Sequence, residues 1–79
     1  MARVFYLDGI SGYVYDEMGG QHHMPHFHAY YAEYEAEIYS DGSIKNGTMP
    51  PSQLKRIKEW LNGGGAEIID SKWKELNGR

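Results

Sequence analysis

His26-Phe27-His28-Ala29-Tyr30-Tyr31-Ala32-Glu33-Tyr34-Glu35-Ala36-Glu37-Ile38-Tyr39 decides the fold, because a hairpin register follows from it. With Ala32-Glu33 as the turn, one face pairs Phe27 with Ile38, Ala29 with Ala36 and Tyr31 with Tyr34, every pair apolar or aromatic. The opposite face pairs His26 with Tyr39, His28 with Glu37 and Tyr30 with Glu35. A slip of one residue would mix the two sets, so the pattern selects this register. Ala-Glu lacks the Asn-Gly chemistry of a tight hairpin turn, which leaves a four-residue loop as the other option.

Working outward, Arg3 to Leu7 and Ser11 to Asp16 are rich in Val, Phe and Tyr and are separated by Asp8-Gly9, with Gly12 just beyond. A hairpin and a single bent strand with a glycine bulge both fit. Met18 to Met24 carries Gly19-Gly20 and ends at Pro25, which biases Met24 to an extended conformation, so a loop leads into the strand. Downstream, Asp41-Gly42 is a good turn that returns the chain through Ser43 to Asn46 as a further strand. Gly47-Thr48-Met49 then leads into Pro50-Pro51, where a proline suits the first helical position.

Leu54, Ile57 and Leu61 recur at helical spacing with Trp60 beside them, and Gly63-Gly64-Gly65 ends that helix. Ala66, Ile69, Trp73 and Leu76 form a second stripe, with Glu67 in its first turn and Lys72 and Lys74 later. The expected fold is α+β: a small antiparallel sheet of three to five strands followed by two amphipathic helices. Both helices pack on the face made by Phe27, Ala29, Ala36 and Ile38.

The 79 residues, 41% hydrophobic, make one domain spanning 1–79. A chain this short buries only about 60–65% of its unfolded surface, so help from a metal or a partner would matter. With no cysteine, neither a disulfide nor a zinc-thiolate site can supply it, and any metal falls to the four histidines and the carboxylates. The apolar run after Met1 is too short for a signal peptide and no window approaches a membrane span, so a soluble, cytoplasmic protein without a membrane role is expected. The net charge of −3 hides an asymmetry. Residues 1–40 hold a single cation, Arg3, against six carboxylates, together with all the histidines and tyrosines, whereas residues 41–79 hold seven cations against five carboxylates.

His22-His23-Met24-Pro25-His26-Phe27-His28 is the chemically dense segment. In a strand His26 and His28 point to the same face, roughly 6–7 Å apart, with Glu37 across from His28. One reading is a Zn²⁺, Mn²⁺ or Ni²⁺ site of His26, His28 and Glu37, with His22 or His23 swinging in. A second makes His26 and His28 a general acid and base around a phosphate, as a ribonuclease could use. A third leaves them as hydrogen-bonded residues of a half-exposed sheet face. Tyr30 and Tyr39 share that face and could stack unpaired bases, with Lys55 and Arg56 supplying positive charge if the helix edge lay beside it. Glu35 and Glu37 oppose such binding, and Lys55, Arg56 and Lys58 equally suit a solvated helix surface. The serines sit in no nucleophile motif, so a triad is not expected.

Pro25-His26-Phe27-His28, followed by Glu33-Tyr34-Glu35-Ala36 and Ile38, resembles a bacterial family of small proteins, domain-of-unknown-function family 4160. That family carries a Pro-Pro-His-Phe-His signature, a Glu-Tyr-x-Ala stretch and a Gly-x-Leu-Pro step into a helix bearing a tryptophan. Here the step is Gly47-Thr48-Met49-Pro50, the tryptophan is Trp60, and Met24 replaces the first proline. The loop before the motif is longer by a few residues, leaving either His22 or His23 as counterpart of a preceding histidine. The resemblance implies one component of a toxin–antitoxin-like pair with a small cognate protein encoded nearby. It supplies no reaction, so a metal-dependent or acid/base ribonuclease and a non-catalytic nucleic-acid or protein-binding module stay as alternatives. A sheet edge on so small a domain also leaves a homodimer open.

Overall fold

The computed structural model describes residues 1–17, 19 and 23–78. Asp8 and Gly9 both take positive φ, 45° and 87°, as a type I′ turn demands. The amino-terminal segment is therefore a hairpin, of β1 (Ala2–Leu7) and β2 (Ile10–Val14), not one bent strand. A bulge at Val4 lets Arg3 face Tyr13 while Phe5 faces Gly12. Gly12 is required there, since a Cβ on it would lie 2.1 Å from the Phe5 ring.

β3 (His26–Tyr31) and β4 (Tyr34–Tyr39) pair in the expected register, from His26 with Tyr39 to Tyr31 with Tyr34. The two-residue turn forms because Ala32 accepts a left-handed φ of 51°, a conformation that costs a non-glycine residue about 1–2 kcal/mol. Asp41 Oδ1 accepts hydrogen bonds from the Ser43 N–H and hydroxyl, and Gly42 takes φ 93°, turning the chain into β5 (Ile44–Gly47). A second bulge leaves Lys45 between the pairs Glu37–Asn46 and Ile38–Ile44. The result is a five-stranded antiparallel meander, β1-β2-β3-β4-β5.

Pro51 opens α1 (Pro51–Trp60) and α2 runs Ala66–Asn77. The glycines do not form a simple stop. Leu61–Gly65 continues as one wide turn in which the Ala66 N–H reaches back to the Leu61 carbonyl, while Gly63 and Gly64, the latter at φ 115°, leave helical geometry and kink the chain. Ile57, Leu61, Ile69 and Trp73 bury themselves with Phe27, Ala29, Ala36 and Ile38, and Phe5 fits between Phe27 and Trp60 at centroid distances of 5.6 and 4.6 Å. Both helices thus cover the sheet's apolar face, as the stripes require. No helix among the described residues is long and apolar enough to cross a membrane.

Candidate metal centre

The other face keeps its polar residues, but one end of it is not solvated. β2 ends at Val14, yet Tyr15, Asp16 and Glu17 run on beside the start of β3, where Pro25 delivers His26 into the sheet. The carboxyl end of α2 closes over this corner. Trp73 lies against the His26 ring at a centroid distance of 4.6 Å, and the His28 and Tyr39 rings stand at 5.9 and 6.2 Å from it. His26 is consequently 0% exposed. This corrects the picture of two histidines on a half-exposed face: only His28 keeps partial contact with solvent.

His26 Nδ1 donates to the Met24 carbonyl at 3.0 Å, because a carbonyl can only accept. That bond fixes the tautomer and aims Nε2 at the carboxylates. Nε2 lies 2.9 Å from Glu17 Oε2 and 3.6 Å from Glu37 Oε1. His28 Nε2 lies 3.7 Å from each of the same two oxygens. Glu17 Oε2 and His26 Nε2 are both buried, and neither is aligned in a hydrogen bond to any partner among the described residues. One ligand atom from each of Glu17, His26 and His28 falls within 4.8 Å of the others. Two imidazole nitrogens and a carboxylate oxygen at such mutual distances are a donor set for a divalent transition metal.

The surroundings tune this set. Burial pushes the Glu37 carboxyl up, but the hydrogen bond from Asn46, with the charges of Lys45 and His28, outweighs it and holds Glu37 below its ordinary value. Lys45 Nζ stands 3.4 Å from Glu37 Oε1 and Asn46 Nδ2 3.3 Å from Oε2. On the opposite flank the Tyr15 ring meets His28 edge-on at 4.6 Å, and the Tyr15 and Tyr30 hydroxyls are 3.0 Å apart. That hydrogen bond, helped by burial, pushes Tyr30 well above the ordinary phenol range, so its hydroxyl stays protonated.

His26, His28 and Glu37 are therefore brought together as their spacing suggests, with Tyr39 against His26 and Tyr30 one pair further along the strand. Lys55 and Arg56 are not. They stand exposed on α1, in the helical layer over the opposite face, where Arg56 pairs with Asp8. His23 is exposed and outside the cluster, and His22 lies outside the described residues. Sequence reading missed Glu17, Trp73 as a cover for His26, and the buried Asn77. The β2–β3 pairing held the missing signal, because Tyr13 opposes His28. Continuing that register brings Tyr15 beside His26 and carries Glu17, of the same parity, toward the histidines.

A family model described as Domain of unknown function (DUF4160) matches residues 9–74. No curated protein and no solved structure matches the chain.

Proposed function

The chain belongs to the DUF4160 family, and we propose that it acts through a divalent transition-metal centre held by Glu17, His26 and His28, with Glu37 as a further donor. The observation that carries this reading is the pair of buried atoms, Glu17 Oε2 and His26 Nε2, that face each other without a hydrogen bond among the described residues. With Nδ1 carrying the proton for Met24, a neutral His26 presents a lone pair to a carboxylate, and two acceptors in contact repel. A cation between them removes the conflict. Nitrogen and oxygen donors without sulfur suit Zn²⁺ or Mn²⁺.

Glu17 and His28 are only partly buried, so the centre opens to solvent and resembles hydrolytic sites more than closed structural ones. A metal bound there would polarise a phosphoester oxygen and acidify a water molecule. Around it, Tyr30 offers a protonated hydroxyl and Lys45 balances Glu37. At the level of biology, the reading is a cytoplasmic hydrolytic component of a toxin–antitoxin-like pair, working with a small cognate protein and with RNA as the first substrate to assay. The family resemblance supports the pairing and the open centre supports the hydrolysis.

The test is a titration of purified protein with Zn²⁺ and Mn²⁺, followed by histidine ring and amide NMR, beside an RNA cleavage assay with and without chelator. Saturable shifts at Glu17, His26 and His28, absent from His26→Ala/His28→Ala, are expected. No shifts, or shifts confined to His22 and His23, would overturn the metal. The 2.9 Å contact favours one second reading, a proton in place of the ion that makes Glu17–His26 an acid/base pair. Cleavage that survives the chelator would select it.

A further inference from the structure

Glu17 lies three residues beyond the end of β2, outside any strand pairing, so the sheet does not fix its position. A side chain from the far end of the molecule does. The Glu17 N–H donates to Asn77 Oδ1 at 2.7 Å, and Asn77 Nδ2 donates to the Tyr15 carbonyl at 3.0 Å. One buried amide, 5% exposed, thus uses its donor and its acceptor to bracket the segment that presents the carboxylate. Trp73, one helical turn earlier on the same face of α2, packs on His26. Ile69, another turn back, anchors that face in the core.

From this arrangement we propose that Asn77 is a positioning residue of the metal centre, and that docking of the last two turns of α2 sets the centre's affinity for its ion. The inference rests on the metal reading above and adds its regulation. Asn77 has the required chemistry because it must accept from one backbone group and donate to another. Aspartate lacks the donor, leucine lacks both functions, and alanine leaves the Glu17 N–H and the Tyr15 carbonyl without this partner. Coupling is reciprocal by thermodynamic necessity: a docked α2 holds Glu17 and His26 ready for the ion, and the bound ion favours the docked helix. β1, whose register is set by ladder pairing with β2 and which carries no ligand, is outside this linkage.

The experiment measures zinc affinity by competition with a chromophoric chelator for the wild type, Asn77→Ala, Glu17→Gln and the double variant. Loss of a residue that orients a metal ligand weakens binding roughly 10–100-fold, and that loss is expected for Asn77→Ala. In the Glu17→Gln background the same substitution should cause a clearly smaller loss, since the part of its effect that runs through Glu17 is already gone. Unchanged affinity in Asn77→Ala, or an equal loss with and without the Glu17 carboxylate, would overturn the inference while leaving the metal reading intact. A wild type that binds no zinc would overturn both. Amide hydrogen exchange of the wild type decides the matter if Asn77→Ala does not fold. Zinc should slow exchange across Ile69–Asn77 more than across β1, which carries no ligand, and equal or absent slowing in α2 would sink the linkage.

Discussion

The two faces of the sheet are built on different rules. On the apolar face, residues close in sequence meet in alternation, Phe27 with Ile38 and Ala29 with Ala36, and two helical stripes close over them. On the polar face, the chemistry gathers at one corner from three distant segments: Glu17 after β2, His26 and His28 in β3, and Trp73 and Asn77 at the end of α2. The first face holds the molecule together by area removed from water, which scales with size and tolerates exchange among apolar residues. The second brings the buried His26 Nε2 to 2.9 Å from Glu17 Oε2 without an aligned hydrogen bond among the described residues, a contact that needs a cation or a proton between the two atoms.

The sharpest way to break this contrast is to damage each face in turn. Phe27→Ala should cost about 3–5 kcal/mol through lost burial and a cavity, against a total stability that in small domains is itself about 5 kcal/mol. Urea denaturation should find it largely unfolded. His28→Ala on the polar face should leave stability within about 1 kcal/mol, as expected of a partly exposed side chain. What it should remove is stabilisation by zinc, which for the wild type amounts to about 2.7 kcal/mol at a free concentration one hundred times Kd. Thermal melts with and without zinc check both figures, and a zinc shift that persisted in His28→Ala would erase the distinction between the faces.

The turns sharpen the contrast, because they serve both faces and carry no ligand. Ala32→Gly should relieve the left-handed strain and stabilise the β3–β4 hairpin by up to about 1 kcal/mol, with zinc affinity unchanged; equilibrium urea midpoints decide this. Smaller still is the effect of Ser43→Ala. The Ser43 hydroxyl, and then its backbone N–H, hold the Asp41 carboxyl below its ordinary value. A carboxyl depressed in the folded state contributes stability above its unfolded pKa and loses it as pH falls through the folded one. Ser43→Ala should raise the Asp41 pKa toward its ordinary value, with the backbone N–H still holding it partly down, and shrink that acid-side dependence, which a carbon-detected NMR titration would register.

The apolar face was legible in the sequence because period-2 and period-3.6 patterns are local: the β3–β4 register, the proline at the start of α1 and both helical stripes follow from neighbours a few residues apart. The undecided amino-terminal segment resolved into a hairpin through Asp8-Gly9, whose turn chemistry was visible and whose competitor was the bulge suggested by Gly12. The candidate site was half legible. His26, His28 and Glu37 share a face by alternation alone, but alternation says nothing of depth, so His26 read as half-exposed. Its burial depends on Trp73, whose place in the α2 stripe predicts a core contact without saying which. Glu17 sits past the end of a strand and is fixed by Asn77, which steps of four from Ile69 through Trp73 place on the buried face but whose polar amide reads as solvated. Lys55 and Arg56 fall away from the candidate site because both helices pack on the apolar face, as the alternation and the stripes require, so the edge of α1 does not lie beside the polar one.

The meander has a consequence for the order of assembly. Each strand pairs only with the next in sequence, so the sheet grows from pairings between sequence neighbours, which keeps the contact order low. The bonds from Asn77 to Tyr15 and Glu17 span separations of 62 and 60 residues, nearly the whole chain. Bringing such ends together carries the largest loop entropy. During folding, the β3–β4 hairpin can hold His26 and His28 in place before Glu17 arrives, so the candidate metal corner waits on the longest closure in the chain.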